Sequence, residues 1–434
     1  MVLTFKSRRD FIITSKRHSF DPLNHGVVPH IAVKSPRLFS ISKSSFFIIT
    51  FMHFSNKILS SLLTYIEDNS LRVIADKVTG NIRITPEEGL SLFKNADLSL
   101  LGLLAGIVRR RHNGNFAYFN RNFHIEPTNI CIYNCRFCSY HKPEGDAESW
   151  EYSQDEMLDI VKRFDNKAVT EVHIVGGVHP DYDLHYWGSL IRRIKEHRPA
   201  LHVKAFSAIE LDHMISQAGC TIEEGLKLLK GYGLDSIPGG GAEIFDEELR
   251  KSICDEKSSS ELWLGIHETA HKLGIPSNAT MLYGHIETYT HRIDHLERLR
   301  LLQDRTKGFN AFIPLKYKKA NNSMSYLGEV NTIEDLRNYA VSRIYLDNFP
   351  HIKAYWPMTG KECARISLSF GADDMDGTID DTTRIYSMAG SEEENPAMST
   401  EDIRTLIQQS GFIPIERDSL YKPINIDPLP LKAD

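Results

Sequence analysis

From Asn115 onward, short apolar runs alternate with amphipathic stretches. Eight of the runs read as strands: Phe123 to Glu126, Glu171 to Val175, His202 to Phe206, Asp235 to Ile237, Ser277 to Leu282, Asn310 to Ile313, Ile352 to Tyr355 and Ser367 to Phe370. Short runs of this kind suit strands buried in a parallel sheet. The segments between them read as helices. Ser153-Gln154-Asp155-Glu156 is a capping box, and Glu287 to Thr306 sets Ile293, Leu296, Leu299 and Leu302 on one face and charges on another. Eight strands with helices between them are what a (β/α) barrel requires. Periodicity alone does not separate a closed barrel from an open doubly wound sheet. The candidate chemistry lies just after strand ends, the face at which barrels carry their sites, and this favours the barrel over residues 119–376.

Before the strands, Leu71 to Gly114 is helical in pattern. Thr85-Pro86-Glu87-Glu88 supplies an N-cap, a proline at the first helical position and a capping-box acid. Leu98, Leu100, Leu101, Leu103, Leu104, Ile107 and Val108 form an apolar face that Arg109-Arg110-Arg111 closes, basic residues suiting the negative end of the helix dipole. Residues 52–118 are expected to be a helical cap, and 377–434 a C-terminal extension. Residues 1–51 have another texture: eight basic residues against two acidic ones, with neither helical nor strand periodicity. Met52 reads as the true start and the residues before it as an added stretch; a disordered tail and an organelle transit peptide are the other readings. Ser7-Arg8-Arg9-Asp10-Phe11 resembles a twin-arginine signal but lacks the apolar segment that must follow.

The chain has 434 residues, 41% hydrophobic and 25% charged, with a formal net charge of -6. That is an enzyme-sized globular composition without the basic surface that nucleic acid requires. No run of about 18 apolar residues is present, so no membrane span is expected and a cytoplasmic location is. Six cysteines are too few for a disulfide scaffold, and three of them fall within eight positions while Cys220, Cys254 and Cys363 stand apart. A reducing compartment and one metal site follow.

Cys131, Cys135 and Cys138 have the spacing C-x3-C-x2-C directly after the first strand. Three thiolates on one loop hold three irons of a cubane and leave the fourth open to bind and reduce a substrate. Zinc is the competing reading, but no second ligand pair stands nearby. Gly176 and Gly177 end the second strand, where bare backbone can approach a ligand or make a tight turn. Glu210 follows the third strand and suits either a ribose hydroxyl or a helix start. Gly239-Gly240-Gly241, with Glu243 two residues on, reads as a cofactor or substrate clamp, a flexible linker being the alternative. His285 and Arg292 lie beyond the fifth strand, where they could meet a carboxylate or simply open a helix. Asp373, Asp374 and Asp376 follow the last predicted strand and are expected to close the bottom of the pocket.

The cysteine loop, with Phe137 just before the third cysteine, resembles the signature of the radical S-adenosylmethionine superfamily. That resemblance implies a 4Fe-4S cluster whose open iron binds S-adenosylmethionine, and a glycine pair at Gly176 and Gly177 that receives its amino group. The usual acid of that motif is replaced by Val178. From Met52 onward the chain is more specifically similar to the aminodeoxyfutalosine synthases of menaquinone biosynthesis. The likeness rests on Phe119 to Asn129, Glu171 to Gly177, the triple glycine, Ala279 to Thr288 and Ser367 to Asp374. It implies that the 5'-deoxyadenosyl radical adds to 3-[(1-carboxyvinyl)oxy]benzoate, giving 6-amino-6-deoxyfutalosine, carbon dioxide and methionine. It also implies a low-potential electron donor such as flavodoxin or ferredoxin, and cations for two carboxylates, for which Arg292 and His285 are the candidates. Cyclic dehypoxanthine futalosine synthases, deazaflavin-forming synthases and tyrosine lyases share the cluster loop. An iron-sulfur electron-transfer or sensing protein would share the loop without the glycine and carboxylate runs.

Overall fold

The computed structural model describes residues 66–378, 384–391 and 397–424. The chain divides into two units, Met1–Ser61 and Leu62–Asp434. The described residues belong to the second, so the added stretch expected over 1–51 lies outside them.

Three helices come first, Asn69–Thr79, Pro86–Asn95 and Leu98–Asn113. The second begins as its capping box dictates: the Thr85 side chain accepts from Glu88 N–H, and Glu88 accepts from Thr85 N–H at 2.8 Å. The third buries Leu101, Leu104, Ala105 and Val108. These helices rest on two later ones, Tyr289–Thr306 and Thr332–Tyr345. Arg300 donates to Ile84 O at 3.0 Å and Arg337 to Ala96 O at 2.7 Å. The arginines expected to complement the helix dipole do more. Arg109 is buried and donates to Ala372 O, Gly114 O and Phe116 O, tying the third helix to the strands that follow.

Those strands are β1 (Phe116–Asn120), β2 (Asn122–Ile125), β3 (Glu171–Ile174), β4 (His202–Ala205), β5 (Ser277–Tyr283), β6 (Phe309–Lys316), β7 (His351–Ile352), β8 (Asp374–Gly377) and β9 (Ile413–Glu416). Every pairing among them is parallel. The ladder runs β2, β3, β4, crosses to β5 by single bridges at Ser236 and Ile237, and continues through β6 and β7. A bridge from Lys353 to Asp374 carries it to β8. β8 pairs with β1 and returns to β2, where the Thr378 hydroxyl bonds to Asn122 O at 3.2 Å. Helices cross over between successive strands, as parallel pairing demands. The fold is a (β/α)-type barrel.

Three expectations are corrected, the first being Asp235 to Ile237, which forms only the single bridges at Ser236 and Ile237 and not a strand. Ser367–Phe370 is not a strand: Ser367 ends the helix Lys361–Ser367 and a 3-10 turn follows. The eighth strand is Asp374–Gly377, the acidic run itself. It escapes a hydrophobicity reading because charge pairs, not apolar side chains, allow its burial. Asp373 binds Arg343 and His351, Asp374 binds Arg417, and Asp376 binds Lys353 at 2.5 Å. β9, in the C-terminal extension, aligns Ile413 with Phe116 and Glu416 with Phe119 on the outer edge of β1.

Candidate active site

The cysteine loop leaves β2 through Glu126-Pro127-Thr128-Asn129 and is pinned along its length. Thr128 Oγ1 donates to Trp150 O at 2.7 Å, and Asn129 Nδ2 to Glu148 O at 3.0 Å. Cys131 N–H donates to Lys142 O, Ile132 N–H to Val178 O, and Arg136 N–H to Ile253 O. The pinned loop presents Cys131, Cys135 and Cys138 to one cavity of about 310 Å³, and all three thiols are free. Burial pushes the Cys135 thiol up to about 12 and raises Cys131 as well, with Lys257 opposing both. Iron would reverse this, because a coordinated thiol ionises. Among the described residues no three His, Cys, Asp or Glu side chains converge closely enough to hold a single metal ion. A structural zinc site needs four ligands at one centre, whereas three thiols on one loop suffice for a 4Fe-4S cluster with an open corner. The three residues therefore fit a 4Fe-4S group with one open corner.

The glycine runs earn their places by close backbone approach. A Cβ on Gly177 would stand 2.2 Å from Ile130 O, so only glycine lets the end of β3 lie flush against the cysteine loop. Gly176 lines the cavity too, and its N–H donates to Glu210 Oε1 at 3.2 Å. Gly239 has φ +90°, and a Cβ there would meet Asn278 O at 2.2 Å. Gly240 and Gly241 continue onto the cavity wall, where Glu243 pairs with Lys257 at 2.8 Å beside the Phe137 ring.

Four expected positions do not line the cavity: Gly239, which packs against Asn278, and Glu210, Arg292 and His285. Glu210 closes the capping box of the helix Ala208–Gln217, accepts from Ser207 N–H at 2.6 Å, and is not among the cavity-lining residues. Burial lifts its carboxyl to about 7 against those hydrogen bonds. Arg292 and His285 do not line the cavity either. The Arg292 guanidinium binds Glu287 at 2.7 Å and Glu334 at 2.6 Å, while His285 Nε2 faces Leu282 O at 3.2 Å. Both belong to a buried lock between β5 and the helix after it, so their assignment to substrate carboxylates is withdrawn.

The cavity interior holds what the sequence reading missed. Barrel interiors are usually packed with Val, Ile and Leu. Here Asn122 and His124 of β2, Glu171 and His173 of β3, Lys204 of β4, Asn278 and Thr280 of β5, with Lys353 and Asp376, form a polar floor. Lys204 pairs with Glu171 at 2.7 Å and Lys353 with Asp376 at 2.5 Å. Burial, then the neighbouring His124 and Lys204, push His173 well below the usual imidazole range, so it is neutral. The signal was there: in Asn122-Phe123-His124-Ile125 and Glu171-Val172-His173-Ile174 polar and apolar residues alternate strictly, and the polar set faces inward. Above the floor, Leu282, Ile313, Leu315, Tyr355 and Met358 give an apolar band.

The sequence matches the Radical SAM superfamily over residues 125–299 and the CofH/MqnC C-terminal region over 306–429. It is 44% identical over 365 residues to an aminodeoxyfutalosine synthase of Thermus thermophilus, covering 83% of this chain and 98% of that protein. The chain belongs to the aminodeoxyfutalosine synthase family of radical SAM enzymes. Enzymes of this superfamily use a 4Fe-4S cluster and S-adenosylmethionine, small-molecule substrates and external reductants. A cyclic dehypoxanthine futalosine synthase of Streptomyces coelicolor is also similar, 37% identical over 82% of this chain and 89% of its own length. In fold the chain resembles methylornithine synthase, with a TM-score of 0.63, 16% identity, and coverage of 79% of this chain and 97% of that one. For the family, a synthase role in the futalosine pathway follows.

Proposed function

We propose that the chain joins the adenosyl carbon of S-adenosylmethionine to 3-[(1-carboxyvinyl)oxy]benzoate, releasing carbon dioxide and methionine and forming 6-amino-6-deoxyfutalosine. The observation that carries this reading is that, in a chain of this family, three free thiols, bare glycine edges and an apolar band open onto one cavity. Cys131, Cys135 and Cys138 would hold the cluster, with Phe137, Gly176, Gly177, Gly240 and Gly241 beside S-adenosylmethionine. Bound there, the cluster and S-adenosylmethionine supply the 5'-deoxyadenosyl radical. The side chains have the remaining tasks: to admit the enol ether, to exclude water and to withhold hydrogen atoms from a reactive carbon. Tyr140 donates its hydroxyl to Thr128 O at 3.0 Å, Tyr317 gives its own to Asn322 Oδ1 at 2.8 Å, and Tyr355 and Tyr386 bond to each other. The hydroxyl hydrogens of Tyr140 and Tyr317, held in these bonds, are less open to abstraction. The overall conversion balances in charge and electrons, so the reductant, a flavodoxin or ferredoxin in the cytoplasm, is needed to initiate turnover rather than to supply it stoichiometrically.

A substrate panel tests the reading. Anaerobic, reduced, cluster-loaded enzyme is offered S-adenosylmethionine with the enolpyruvyl benzoate, tyrosine or dehypoxanthine futalosine. The enolpyruvyl benzoate alone is expected to drive S-adenosylmethionine consumption, matched by methionine and carbon dioxide. Consumption driven by dehypoxanthine futalosine instead would move the chain to the function of its other relative.

A further inference from the structure

The polar floor lies inside a barrel, where a lysine is tolerated only when its ammonium is fully engaged. Lys204 and Lys353 are 5% and 3% exposed, and both line the cavity. An ammonium has three N–H donors. Lys204 makes one hydrogen bond, to Glu171, and Lys353 makes one, to Asp376. Two donors on each remain uncommitted. Burial, and then the charge of Lys353 against the help of Glu171, lowers the affinity of Lys204 for its proton. An anion between the two lysines relieves that repulsion. Glu171 and Asp376 supply one negative charge to each lysine, and among the described residues the remaining neighbours here, His124, Asn122 and neutral His173, add no further negative charge that would oppose an anion at the uncommitted donors.

We propose that the floor of the cavity, between Lys204 and Lys353, binds the ring carboxylate of the substrate. The proposal rests on the function given above and adds which end of the molecule goes where. The reacting double bond has to lie toward the cysteine loop, and the enol ether carries its own carboxylate on that same carbon unit. The ring carboxylate is the opposite end of the molecule. Leu282, Ile313, Leu315, Tyr355 and Met358 between loop and floor offer an apolar slot for the ring. Lys204 and Lys353 are thus positioning residues that set the register of the alkene, a role first sought at Arg292.

The test compares the full substrate with 2-phenoxyprop-2-enoate, which lacks only the ring carboxylate. Replacing Lys353 alone would strand Asp376, so the pair is removed together as Lys353→Met with Asp376→Asn. The wild-type holoenzyme is expected to show at least a tenfold higher KM for the truncated compound, with a smaller change in kcat. The paired variant is expected to raise KM for the full substrate at least tenfold, to keep KM for the truncated compound within about threefold, and to retain the cluster absorbance. Equal KM values for both compounds in the wild type, or an unchanged preference in the paired variant, would overturn the proposal while leaving the function intact. The first comparison needs no variant, so misfolding cannot hide the answer. If the wild type turns over neither compound, the functional reading falls and the floor assignment with it.

Discussion

Cys135 is the most buried of the three loop cysteines, and burial raises its thiol to about 12, which makes a bare thiolate there unfavourable. Without iron it rests as a neutral buried thiol, and coordination would ionise it. Cys135→Ala is therefore expected to abolish both the visible absorbance of the cluster and turnover, whereas Cys220→Ala, remote in sequence and half-buried, should change neither. A cluster-loaded, active Cys135→Ala protein would remove the basis of the metal assignment. Asp373 makes a different residue-scale case. Burial alone would raise its carboxyl, but His351, Arg343 and the Ile352 N–H together hold it below the usual carboxylate range. A depressed folded value contributes stability above the unfolded carboxylate range, near pH 4, and loses it as pH falls through the folded value. Asp373→Asn is expected to unfold more easily at pH 7, by about 3–5 kcal/mol for a broken buried pair, and to show a shallower acid loss than the wild type in urea titrations across pH. Equal acid slopes for the two proteins would show that this carboxyl is not a source of the acid dependence.

Among the elements, legibility followed burial chemistry. The strands β2 to β6 were readable because Val, Ile, Leu and Phe mark them, and the helix starts because Thr85 and Ser153 announce their caps. β8 was not, since Asp374-Met375-Asp376-Gly377 is buried by pairing with Arg417 and Lys353, partners 43 and 23 residues away. Sequence spacing cannot reveal such partners. The same limit misplaced the substrate cations: Arg292 looked available next to a strand end, yet Glu334, 42 residues on, occupies it. Arg292→Ala should accordingly lower stability by about 3–5 kcal/mol, as for a broken buried pair, and leave the KM of the soluble fraction unchanged. A selective rise in KM without loss of stability would restore the arginine to the substrate. Glycines sort by the same logic of neighbours. At Gly106, in the helix Leu98–Asn113, nothing stands within 4 Å of the position a methyl group would take, so Gly106→Ala should stabilise by about 0.5–1 kcal/mol. Gly177→Ala, 2.2 Å from Ile130 O, should displace the cysteine loop and reduce iron retained per chain.

At the scale of the whole molecule, the barrel lines one cavity with the cysteine loop, an apolar band and a charged floor, β5 contributing to both of the last two. No helix among the described residues is long and apolar enough to cross a membrane. The central claim is that this arrangement directs the adenosyl carbon into a new bond instead of toward hydrogen abstraction. The two outcomes start from the same radical and diverge only in what the cavity presents to it. S-adenosylmethionine labelled at its 5' carbon, incubated anaerobically with the reduced enzyme and 3-[(1-carboxyvinyl)oxy]benzoate, separates them. The label is expected inside the aminodeoxyfutalosine skeleton, with carbon dioxide formed alongside. Recovery of the label as free 5'-deoxyadenosine, with the enolpyruvyl compound untouched, would contradict the account.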